Sequence, residues 1–71
     1  MMIFVFKTSV YEASQIEKLT PVLDKLLKNA RWNFDLEDCD NILRIDSLKE
    51  IAQLTIKILQ DNGFACEELP D

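Results

Sequence analysis

The sequence predicts an α/β fold of the α+β sandwich type, in the order β-α-β-β-α-β, with an antiparallel four-stranded sheet and two helices on one face. Three observations predict it. Apolar residues alternate with period two near the N-terminus and again over 31–46, as on strands. They recur at spacings of three and four over 16–27 and 51–59, as on helices. Asp, Asn and Gly fall between these stretches, where turns and helix stops are needed. With 71 residues, the span 1–71 is one small domain, able to bury about 60% of the surface its unfolded chain exposes.

Met2 to Val10 reads as the first strand. Phe4, Phe6, Thr8 and Val10 share one face; Ile3, Val5 and Lys7 share the other. Apolar residues on both faces at its start suit an inner strand.

A helix follows. Ser14 with Glu17 fits a capping box, and Ser9 with Glu12 is a second candidate. Ile16, Leu19, Leu23, Leu26 and Leu27 form its apolar stripe. Pro21 lies inside that stripe and lacks an amide donor, so it should kink the helix or mark where its regular part begins. The helix should fray near Asn29.

The stretch RWNFDLEDCDNILRID reads as a hairpin. Trp32, Phe34 and Leu36 alternate with Arg31, Asn33 and Asp35, and Leu43 and Ile45 alternate with Ile42, Arg44 and Asp46. The acidic run from Glu37 to Asn41 supplies the turn.

For the second helix, Ser47 and Glu50 offer a capping box, Asn62-Gly63 a stop, and Ile51, Leu54, Ile58 and Leu59 a buried face. A last strand runs from Phe64 to Leu69, before Pro70. This order is the split βαβ plan of the ferredoxin-like fold. Right-handed crossovers then place strand 1 beside strand 3, with strands 2 and 4 at the edges.

Composition narrows the function. The chain is 48% hydrophobic and 30% charged, with one Gly and two Pro, as a packed domain is. Its net charge is −5, with eight Lys and Arg among thirteen acids. A nucleic-acid binder or a ligand of anionic membranes needs a basic footprint, so neither partner is expected. There is no His, which removes the usual neutral-pH acid/base and the commonest metal ligand. No Ser/His, Cys/His or Gly-rich phosphate signature appears, so catalysis is not expected and no cofactor is implied. The opening MMIFVFK has six apolar residues before its first charge, short of the roughly 7–15 of a signal peptide or the about 20 of a membrane span. The expectation is a cytoplasmic chain with Cys39 and Cys66 as free thiols.

Lys7-Thr8-Ser9-Val10, followed at the family's spacing by Thr20-Pro21, resembles the start of small stand-alone heavy-metal-associated domains, the fold of copper chaperones and metal-transport ATPase modules. WNFDLEDCDNILRI is similar to that family's second and third strands, and DNGFACEEL to its last, with Cys66 in an Ala position. The resemblance covers nearly the whole chain. In the family, two Cys of a CxxC loop hold one soft metal ion, usually copper(I). The matching positions here are Glu12 and Gln15, whose oxygens do not replace thiolates for a soft ion. The resemblance therefore implies the scaffold with a degenerate metal site, and no metal is expected at Glu12 and Gln15.

Three readings of what remains stay open. In the first, one end of the sheet collects Glu12, Glu37, Asp38, Cys39, Asp40 and Asp61, and Glu12, Asp38, Cys39 and Asp40 hold a hard divalent ion; set against it is a plain solvated acidic rim. In the second, the sheet face away from the helices exposes Ile3, Val5 and Ile42, with Ala65, Lys7 and Arg44 nearby, as an interface for a protein partner or a second copy. An edge strand could also pair with a second copy. In the third, the family's docking onto a transporter domain of the same fold is kept without the metal. Cys39, among carboxylates, reads as a sluggish surface thiol, Cys66 as a small core residue, and Trp32 as core packing rather than a stacking platform.

Overall fold

The computed structural model describes residues 2–37 and 41–70. Its elements are β1 (Met2–Thr8), α1 (Ala13–Leu26), β2 (Arg31–Asp35), β3 (Ile42–Ser47), α2 (Ala52–Asp61) and β4 (Cys66–Glu68). The four strands form one sheet in the order β2-β3-β1-β4, and every neighbouring pair is antiparallel. The molecule is thus an α+β domain with β1 and β3 inside and β2 and β4 at the edges. None of its described helices is long and apolar enough to cross a membrane.

Register explains the core. Trp32, Ile45 and Phe4 form one cross-strand row, and Phe34, Leu43 and Phe6 the next. These rows share one cluster with Leu19, Leu23 and Leu27 from α1 and its end, and with Ile51, Ile58 and Leu59 from α2 and its start. One sheet face and both helices therefore bury the same core. Each such side chain contributes about 1.5–3 kcal/mol by leaving water. Phe6 is fully buried at its centre, and truncation to Ala would cost about 3–5 kcal/mol. Trp32 joins this packing, edge-on to Phe34 at 5.9 Å, with its Nε1–H donating to Asp24 at 3.1 Å.

The helices differ from expectation in their caps and in one position each. The N-cap of α1 is Glu12, with Gln15 at the third helical position, rather than Ser14 or Ser9. Ser9 instead ties β1 to the last strand: its N–H donates to Ala65 O at 3.2 Å, and its Oγ accepts from Ala65 N–H at 2.9 Å. Along the stripe, Leu19, Leu23 and Leu27 are buried, but Leu26 is 46% exposed. Leu26 lies seven residues after Leu19, within about 20° of it around the axis, but it is the last residue of α1, where the cover over the stripe ends. The helix continues through Pro21, which is exposed, as is Glu17, whose carbonyl loses its donor.

Ser47 and Glu50 do not cap α2. Ser47 ends β3, where its Oγ accepts from Lys49 N–H at 3.1 Å, and the helix begins later, at Ala52. Glu50 Oε1 accepts from Ala52 N–H at 2.7 Å, serving one amide of the first turn. Leu54 is 40% exposed, and Thr55 takes the buried position instead. Its hydroxyl donates to Ile51 O at 2.9 Å, so the burial leaves no unmet polar atom. The stop is a Schellman motif: Phe64 N–H donates to Leu59 O at 2.9 Å and Gly63 N–H to Gln60 O at 3.0 Å, with Gly63 at φ 88°. The left-handed φ is what demands glycine there.

Both end strands are shorter than the alternation predicts. β1 stops at Thr8, whose Oγ1 donates to Asn41 O at 2.7 Å and accepts from Val10 N–H at 3.2 Å; this local turn still leaves Val10 buried. β4 spans three residues, and pairing reaches one bond further, from Leu69 N–H to Val5 O at 2.8 Å.

Candidate functional site

Three connections meet at one end of the sheet. Thr8 donates to Asn41 through both its N–H and its hydroxyl, joining β1 to the start of β3, and the Ser9–Ala65 pair joins the β1–α1 loop to the approach to β4. This is the end where the sequence predicts an acidic rim. Glu12 and Glu37 are exposed on these connections, and Asp61 is exposed at the end of α2. Asp38, Cys39 and Asp40 lie outside the described residues. Among the described residues, no three Cys, Asp or Glu side chains converge as one ion requires.

The centre of this end is the start of α1. Gln15 Oε1 accepts from Tyr11 N–H at 2.8 Å and from Glu12 N–H at 3.3 Å. Glu12 faces the third amide of the helix in return, completing a capping box, and its Oε1 accepts from the Ser14 hydroxyl at 3.0 Å. Two of the orphan donors that every helix start presents are therefore aimed at these side chains. The spacing of three that lets Glu12 and Gln15 cap a helix is the spacing that would let two ligands share an ion. Here their oxygens point at backbone amides. The arrangement closes a loop onto a helix.

Cys66, opposite Thr8 in the β1–β4 ladder, is the one described thiol. It is buried, and desolvation pushes its pKa up from 9.0 to about 11. At neutral pH it is a protonated small apolar residue rather than a nucleophile or metal ligand.

The sheet face away from the core is a grid. Its rows read Arg31–Asp46–Ile3, then Asn33–Arg44–Val5, then Asp35–Ile42–Lys7–Glu67. Ile3 is 57% exposed and Val5 half-buried, but Ile42 is only 7% exposed, which corrects its expected place in an open apolar patch. Ile42 lies on inner strand β3, directly opposite Asp35 on β2 and Lys7 on β1, so it has a strand on each side where an edge residue has one. What the face offers is Ile3 and Val5 beside opposite charges paired across strands. The β4 edge is blunted by its length, by Glu67 and Glu68, and by Pro70 just beyond. β2 is the longer free edge, with exposed Arg31, Asn33 and Asp35.

No family model matches the chain, and neither does any curated protein. The pair that the sequence reading missed as a cap is Glu12 with Gln15. Its signal was present, since Glu or Gln three residues after an N-cap is half of a capping box. Ser outranks Glu at the N-cap, so residue preference favours Ser9 and Ser14 over Glu12.

Proposed function

We propose that the chain is a non-catalytic binding module: a ferredoxin-like domain on the heavy-metal-associated plan, whose β1–α1 loop has exchanged soft-metal binding for helix capping. One observation carries this reading. The two side chains in the metal-ligand positions of that resemblance, Glu12 and Gln15, are the two halves of the α1 capping box. The element order and the sheet with two edge strands support the scaffold. Binding then falls to a surface, either the Ile3–Val5 part of the open face or another patch, and the partner is a protein or a second copy.

Native mass spectrometry of the reduced chain with copper(I), zinc and calcium tests this directly. The expected spectrum shows no specifically retained ion. One ion held per chain and lost in Gln15→Ala would restore a metal function to the loop and end the proposal. One ion held through Asp38 or Cys39 instead would move the function to the acidic connection.

A further inference from the structure

At the opposite end of the sheet from Glu12, the end of α1 and the β3–α2 connection enclose a groove of about 310 Å³. Lys25, Lys28 and Lys49 line it together with Leu26, Leu48 and Ile51, and no carboxylate does. Three of the chain's eight cations thus frame one cleft in a protein carrying thirteen acids. Leu48 is 69% exposed and Leu26 lies open beside it, so the cleft presents apolar surface that the fold does not cover. Lys25 has a structural reason for its place, since a cation in the last turn complements the helix dipole. Lys28 directly follows the C-cap Leu27 and meets the same dipole, whereas Lys49 lies outside both helices, so the dipole does not account for it. Among the described residues, none of the three lysines makes an ion pair.

We infer that this groove docks an acidic peptide segment of a partner protein, with one or two apolar side chains seated between Leu26 and Leu48 and flanking carboxylates on Lys28 and Lys49. The inference rests on the reading of the chain as a binding module and names its surface and the partner's chemistry. A cleft of this size takes one or two side chains rather than a folded ligand. The net charge of −5 repels an acidic partner from elsewhere on the molecule. At physiological salt, charges beyond about 8 Å are screened, so a segment in the groove feels the three lysines and the neighbouring Asp24 and Glu50 more than the remaining acids. The chain's acidity therefore sharpens the choice of surface.

Fluorescence anisotropy tests the assignment with a labelled octapeptide alternating Glu-Glu and Leu-Leu pairs, and with the same peptide carrying Lys in place of Glu. The acidic peptide is expected to bind and the basic one not to. Lys28→Glu with Lys49→Glu should weaken binding roughly tenfold, because two surface attractions become repulsions. Leu48→Ser should weaken it about threefold by withdrawing apolar contact. Lys57→Glu, an exposed reversal on α2 outside the groove, should leave it unchanged. Circular dichroism of each variant separates lost binding from lost folding.

Absence of acidic-peptide binding at roughly 1 mM protein overturns the inference. So does equal weakening by Lys57→Glu and by the groove pair. Binding to phosphatidylserine vesicles without peptide binding would assign the groove to a lipid surface. Dimerisation lost in the groove pair, again without peptide binding, would assign it to a second copy. Either result overturns the peptide assignment. A chain that binds neither peptide nor metal removes the groove and leaves the module reading standing, so the two fail separately.

Discussion

Gln15→Ala isolates the cap at the start of α1. The substitution removes the Oε1 acceptor of Tyr11 N–H and Glu12 N–H, bonded at 2.8 and 3.3 Å. Both amides belong to exposed residues, so water takes over part of each bond, and the loss lies in the lower part of the range of about 0.5–2 kcal/mol for deleting a cap. Ala is the better helix former by a few tenths of a kcal/mol, which offsets some of it. The net cost is about 0.5–1 kcal/mol. For a chain of this size, 1 kcal/mol moves the melting temperature by about 4–8 °C, so Gln15→Ala should lower it by about 2–8 °C in a thermal melt followed by far-ultraviolet circular dichroism. Gln15→Glu keeps the oxygen and adds a negative charge at a helix N-terminus, worth about 0.3–1 kcal/mol, and should melt at or above the wild type. A Gln15→Ala melt within about 1 °C of wild type would refute the capping argument. Such a result, joined to metal retention that Gln15→Ala abolishes, would make Gln15 a ligand.

The other predictions follow from single contacts. Gly63→Ala should destabilise by about 1 kcal/mol although no atom lies within 4 Å of the added Cβ, because φ is 88°; a melt unchanged by the substitution would place the cost elsewhere. Thr55→Val should stay within about 1 kcal/mol of wild type, since it exchanges one intrahelical bond to Ile51 for a methyl of similar volume, and a larger loss in denaturant titration would mean the bond carries more than its helix. Cys66 is an acid whose folded pKa is raised to about 11 from 9.0 by burial, so the fold favours the neutral thiol; the stabilisation is complete below pH 9 and is lost as pH climbs towards 11, while thiol alkylation of the folded chain stays slow through neutral pH. Val5→Lys tests the open sheet face, as a second cation beside Arg44 should dissociate an assembly built on it; an unchanged mass by sedimentation would free that face from the role.

Some of this was legible because the sequence pattern maps onto geometry without tertiary help. Alternation put Phe4 and Phe6 on the core face and Ile3 on the other, and the structure buries the first two and exposes the third. Asn62-Gly63 marked a helix stop because only glycine adopts the required φ readily, and a Schellman motif stands there. Other positions depended on where an element begins, which local pattern fixes poorly. Once α2 starts at Ala52 rather than just after Ser47, Ser47 becomes the last strand residue and Glu50 an isolated acceptor. Ile42 and Leu26 depended on neighbours in space: Ile42 sits between Asp35 and Lys7 on flanking strands, and a helix end leaves open a residue that a longer helix would have covered.

The site was half legible for a related reason. Two side chains three apart at the start of a helix share one side of it, so the positions that suit a shared ligand also suit a reciprocal cap. Position alone does not separate the two uses; residue type does. A thiolate is a weak acceptor for a backbone amide and a strong ligand for a soft ion, while a carboxylate or amide oxygen reverses both preferences. Glu12 and Gln15 lie on the capping side of that division, and their bonds to the Tyr11 and Glu12 amides and the Ser14 hydroxyl engage the lone pairs an ion would need. Placing an ion on Glu12 and Gln15 would therefore cost α1 its cap. That coupling supports the reading in which the scaffold is kept for its surfaces.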